Sequence, residues 1–245
     1  MASEAPPIEA DRSRKRSGRV FAWITAFGLF FAGLHVVLHL TWFGPKMCFH
    51  VGDYVGWFTG QDILVITDVR CDYGPNTWLS VLAMLWTGVA AFRLAGLRDA
   101  SERKGWILVG VLFVYLGMDD ALMIHEMIND WARQFVGDEW SFPWIKVLLP
   151  ILVIAGLFAF RFLAKTLWND RPRLIEMALG FACLGGAVGF EIVERWLKDS
   201  SYRPRGFPIV DYPVVPEEFL EVLGPALLLL CFMRIQESER VASPS

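Results

Sequence analysis

Apolar residues in this chain gather into six long stretches separated by segments rich in charge, proline and glycine. The first runs from about Val20 to Trp42 and the second from Thr77 to Gly96. The third covers Trp106 to Ile128, the fourth Pro143 to Leu163, the fifth Leu174 to Leu197 and the sixth Phe219 to Ile235. A helix needs about 20 residues to cross about 30 Å of hydrocarbon, and each stretch approaches or exceeds that length. The pattern predicts an all-α, polytopic membrane bundle of about six transmembrane helices. The first, second and fourth stretches are uniformly apolar, whereas the third, fifth and sixth carry acids at one end. The first is too long for a signal-peptide core and no small-residue cleavage pattern follows it, so it is read as an uncleaved anchor.

The intervening segments set the organisation. Residues 1–19 and 236–245 read as cytoplasmic tails, and residues 20–235 as the bundle. The outside connections are 44–75, 129–142 and 198–216, the first with a β-like run from Ile63 to Val69. Basic residues give the orientation. With the N-terminus cytoplasmic, 15 of the 23 Lys and Arg fall inside, while 17 of the 26 Asp and Glu fall outside. Trp42, Trp78, Trp131, Trp144 and Trp196 then mark the outer boundary, and Trp106 and Trp168 the inner one. The expected home is a bacterial cytoplasmic membrane.

Composition agrees. Hydrophobic residues make up 55 %, charged residues 20 %, and the mean hydropathy is +0.41. No basic stripe exists outside short loops, which excludes nucleic acid as a partner. Cys48 and Cys71 share one outside connection, where an oxidising compartment would permit a disulfide or leave them free; Cys183 and Cys231 lie in apolar stretches and read as packing residues.

The chemistry-bearing residues lie off the cytoplasmic side. An Asp at the centre of a membrane helix costs about 2.5–3.5 kcal/mol on the insertion scale, yet the third stretch holds Asp119, Asp120, His125 and Glu126. The fifth holds Glu191 and Glu194, and the sixth begins with Glu217, Glu218 and Glu221. His35 and His39 lie in the first. Three- and four-residue spacings put each of the pairs Glu191/Glu194, Glu218/Glu221 and His35/His39 on one helical stripe. Asp119 and Glu126 are seven apart, two helical turns, which would put those two on one face as well. So many carboxylates in a low-dielectric site need compensation by metal ions, shared protons or basic partners.

Mixed oxygen and imidazole donors suit Zn, Mn or non-haem Fe. The leading expectation is a metal site for one or two divalent transition ions. Its ligands would come from Asp119, His125, Glu126, Glu191, Glu194, Glu218, Glu221, His35 and His39, with Asp120 and Glu126 as catalytic acid–base groups. Such a protein would be a metal-dependent hydrolase or oxidoreductase acting on a lipid-like or membrane-proximal substrate. A cation or proton transporter is the second reading, and a non-catalytic subunit with a structural polar cluster the third. Against a through-pathway, the inner half is almost wholly apolar, with Glu176 the main exception. Carboxylates and His on facing helices make the arrangement similar in logic to the di-iron and di-manganese carboxylate bundles. This chain lacks their Glu-x-x-His motifs, and it has no H-E-x-x-H, phosphate-binding Gly-rich loop or Cys-x-x-Cys-His.

Overall fold

A computed structural model describes residues 17–30, 33, 75–136, 143–199 and 214–242. Among the described residues every regular element is an α-helix. In chain order these are α1 (Ser17–Phe30), α2 (Pro75–Gly96), α3 (Ala100–Leu122), α4 (Ile124–Val136), α5 (Pro143–Thr166), α6 (Arg171–Asp199) and α7 (Val214–Ala242). Cys48 and Cys71, the β-like run, His35 and His39 lie outside the described residues.

Four helices are long and apolar enough to cross a membrane: Asn76–Gly96, Ala100–Leu122, Lys146–Thr166 and Arg171–Val193. They match the second to fifth stretches, and they are compatible with an integral membrane protein. The first stretch is described only as the 14 helical residues of α1, so six spans are not established. The sixth stretch forms the middle of α7, whose apolar residues face protein. Val222, Ala226, Leu228, Phe232 and Ile235 are all buried there, because α7 packs along both α2 and α6.

Hydrogen bonds fix how α2 and α7 lie together. Ser80 Oγ donates to the Glu221 carbonyl at 3.2 Å, Thr87 Oγ1 to the Pro225 carbonyl at 3.2 Å, and Gln236 Nε2 to the Ala90 carbonyl at 2.7 Å. Residue numbers rise together along both helices, so α2 and α7 run parallel. The Ser80 bond answers a local defect. Pro225 has no N–H to offer the carbonyl four residues before it, and that carbonyl is Glu221's. A hydroxyl from the neighbouring helix takes its place, as membrane helices require when proline interrupts them.

α1 runs antiparallel to α7: Ser17 Oγ donates to Glu237 at 3.5 Å, and a Cβ added at Gly28 would stand 3.2 Å from Val222. Arg98, between α2 and α3, pairs with Glu239 at 2.6 Å at the same end. The start of α1, the turn between α2 and α3 and the end of α7 therefore share one end of the bundle.

The core lies toward that end. Trp106 is fully buried, with ring edges of Phe232 and Phe162 meeting it at centroid distances of 5.2 and 5.7 Å. This corrects the expectation that Trp106 marks the membrane boundary. Trp168, by contrast, is exposed as that role requires. α6 and α7 approach closely where Gly180 faces Gly224: a Cβ on Gly180 would stand 2.6 Å from Leu228 Cγ and 3.1 Å from the Gly224 carbonyl. Small residues at such crossings let helix backbones close up.

A candidate functional site at one end of the bundle

Opposite the Trp106 core, the helix ends carry the acids. The third apolar stretch does not continue to Ile128 as one helix. It stops at Leu122, Met123 takes the left-handed conformation (φ 51°, ψ 43°), and α4 begins at Ile124. A single left-handed residue between two right-handed helices ends one axis and starts another. Half of the connection expected over 129–142 is therefore helical, since α4 reaches Val136. The two-turn relation between Asp119 and Glu126 is lost as well: Asp119 is buried on α3, and Glu126 is exposed on α4.

Asp119 organises this break. Its carbonyl accepts the Met123 N–H. Its Oδ1 accepts the backbone N–H of His125 at 2.9 Å, one of the first-turn donors that α4 itself cannot satisfy. Its Oδ2 lies 3.2 Å from His125 Nδ1. An ionised carboxylate only accepts, so Nδ1 carries the proton and donates. His125 stands beyond the end of the spanning helix. Burial alone would push its imidazole down, but the hydrogen bond and charge of Asp119, with the charges of Glu191 and Glu126, outweigh burial. Together they hold His125 above its ordinary 6.5.

A second group forms around Glu221, near the start of α7. The charges of Glu218, Asp120, Glu217 and Glu191 all act on it. Glu191 of α6 is thus within electrostatic reach of both His125 and Glu221, and the charged residues that α3, α4, α6 and α7 carry at this end form an acidic cluster in that sense. This end of the bundle carries Asp119, Asp120, His125, Glu126, Glu191, Glu218 and Glu221. Glu217, an acid in the first turn of α7 where the helix dipole favours negative charge, stands at the same end. Glu194 lies in α6, but its side chain is outside the described residues. Among the described residues no three His, Cys, Asp or Glu side chains converge closely enough to hold a metal ion.

One neighbour of this cluster is not an acid. Asn76 opens the apolar run of α2, is 1 % exposed, and among the described residues neither its Oδ1 nor its Nδ2 has a hydrogen-bond partner. Asn76, Ser80 and Thr87 are spaced by four and seven, one face of a helix, and all three are buried. Ser80 meets Glu221, and the helices run parallel, so Asn76 lies one turn further out, level with Glu217 and Glu218. That polar stripe in an otherwise apolar helix was the available signal for it.

The other end of the bundle is balanced differently. Glu176 of α6 pairs with Arg234 of α7, and Arg98 pairs with both Glu239 and Glu102. Glu176, the acid at this end that a transport pathway would have used, is joined to a cation.

No curated protein and no solved structure matches the chain. Residues 28–235 match a family described as a domain of unknown function, DUF8692. That match spans α2 to α6, most of α7 and every described residue of the acidic cluster, and the chain belongs to the DUF8692 family.

Proposed function

We propose that this chain is an integral membrane metalloprotein that works at the acidic end of its bundle, as a metal-dependent enzyme on a lipid-like or membrane-proximal substrate. The bonded pair of Asp119 and His125 carries this reading. A carboxylate beside Nδ1 fixes the imidazole's tautomer and orientation, the usual setting of a metal-bound histidine. Asp119 then serves as the orienting group. At most two of His125, Glu191, Glu218 and Glu221 would supply donors to one ion, and His35, His39 and Glu194 are the residues that would complete the set. Oxygen and imidazole donors favour Zn, Fe or Mn, and such an ion would lower the pKa of a bound water. Asp120 and Glu126 stand close enough to act on Glu221 and His125 respectively and are the acid–base groups of this scheme. The excess of Lys and Arg in the connections at the Arg98 end supports a cytoplasmic setting for that end, with the acidic end outside.

A structural reading has its own observation: Asp119 also satisfies the first turn of α4. Elemental analysis of the full chain, purified in detergent without chelators, separates the two. The metalloprotein reading expects one or two equivalents of transition metal, lost in His125→Ala and Glu221→Gln while the helical signal survives. Metal-free, monodisperse wild-type protein would overturn it.

A further inference from the structure

The helix that carries His125 divides into three sectors. At about 100° per residue, Met127, Trp131 and Phe135 form one stripe, and they are 66 %, 59 % and 71 % exposed. The rings of Trp131 and Phe135 lie 4.9 Å apart, so the stripe is a continuous apolar surface. Ile128 and Ala132 form the next sector, with Ala132 buried against the bundle. Glu126 and Arg133 lie on the remaining side and are exposed, and exposed Gln134 borders the stripe beside Met127. A helix of 13 residues spans about 20 Å, too short to cross a bilayer. Its apolar arc is too large and too exposed for a face in water.

We infer that α4 is an interfacial helix, lying along the lipid–water boundary with Met127, Trp131 and Phe135 inserted at the junction of headgroups and acyl chains. Continuity with the spanning helices identifies lipid as the occupant. The outward face of α3 ends in Met118 and Leu122, both exposed, immediately before the break. The outward face of α5 resumes with Val147 and Ile151, also exposed. The α4 stripe extends this same belt, and its Trp and Phe beside an exposed Arg are the composition of membrane-surface helices.

The inference sets the depth of the site. His125 lies in the first turn of α4, so the Asp119–His125 pair stands at headgroup level. Where the site is an enzyme's (a step that rests on the reading above), the substrate presents a polar headgroup to it rather than an acyl chain.

The test uses the full chain in phosphatidylcholine nanodiscs, with the four native cysteines replaced and a nitroxide label placed in Met127→Cys, Trp131→Cys, Phe135→Cys or Arg133→Cys. Collision with oxygen over collision with a water-soluble nickel chelate should be severalfold higher at the first three positions than at Arg133. Nickel-dominated collisions at all four sites would place α4 in water and overturn the inference. Protection of the stripe from both reagents would show a protein surface over it, whether a second copy or another partner, and would overturn it equally. A benzoylphenylalanine photocrosslinker at Phe135, in the otherwise native sequence, provides the same decision if the cysteine-free background fails to fold. Lipid adducts are expected, and their absence or replacement by protein adducts refutes the placement. Neither measurement reads metal, so its failure is separable from failure of the metalloprotein reading.

Discussion

Gly180→Ala tests whether the α6–α7 crossing depends on missing side chains. The added Cβ would stand 2.6 Å from Leu228 Cγ and 3.1 Å from the Gly224 carbonyl, where carbon contacts are comfortable at about 3.5–4.0 Å. Leu228 is fully buried and has little room to yield. Relief thus requires the helices to part by up to about 1 Å, a shift set by that contact distance. Overpacking of this kind costs about 1–3 kcal/mol, while replacing a mid-helix glycine by alanine returns about 1 kcal/mol of intrinsic propensity. Gly156→Ala isolates the second term, since nothing lies within 4 Å of a Cβ added in that part of α5. The two variants should differ by about 1–3 kcal/mol, with Gly180→Ala the less stable. Gly224→Ala meets Leu184 at 2.9 Å and the Gly180 carbonyl at 3.0 Å, so the double variant should cost less than the sum of the singles. Denaturant unfolding of the full chain in mild detergent, followed by tryptophan fluorescence, measures all four. Equal stability of Gly180→Ala and Gly156→Ala would refute the close crossing.

Other substitutions probe the polar contacts. Ser80→Ala should lower stability by about 1 kcal/mol in the same assay by leaving the Glu221 carbonyl unsatisfied; the cost should shrink in a Pro225→Ala background, where the restored N–H reaches that carbonyl. Asn76→Leu should raise stability by about 1–3 kcal/mol, the penalty of an unpartnered buried amide. A loss of stability instead would mean that the amide has a polar partner in the working protein. Glu176→Gln should destabilise the bundle, and Arg234→Gln in the same background should add little, a double-mutant cycle that checks their pairing. Asp99 caps α3: hydrogen bonds from the Ser101 hydroxyl and the Glu102 and Ser101 N–H groups hold its carboxyl below the ordinary 3.8. Its contribution is therefore present above pH 3.8 and lost as pH falls through the lowered value. Asp99→Asn should keep the cap and flatten that acid limb in thermal melts taken against pH.

The sequence by itself determined what depends on neighbours along the chain. Long apolar runs locate α2, α3, α5 and α6, because a backbone in lipid must satisfy its own hydrogen bonds and the helix does so locally. The one-sided distribution of acids also follows from order alone, since alternating helices return Asp119, Glu191 and Glu221 to one end. What the tertiary structure decided involves partners remote in sequence or residues with no local signature. The helix break sits at Met123, neither Gly nor Pro, and it is held by the carbonyl and carboxylate of Asp119. It uncouples Glu126 from Asp119 and turns an expected connection into an amphipathic helix. Ser80 answers the proline defect of a helix 141 residues away, and Trp106 is a core residue only because Phe162 and Phe232 close over it. Hydropathy sorts residues into lipid-compatible and polar classes. Whether a lipid-compatible residue faces lipid or another helix depends on packing, and packing is decided between segments rather than within them.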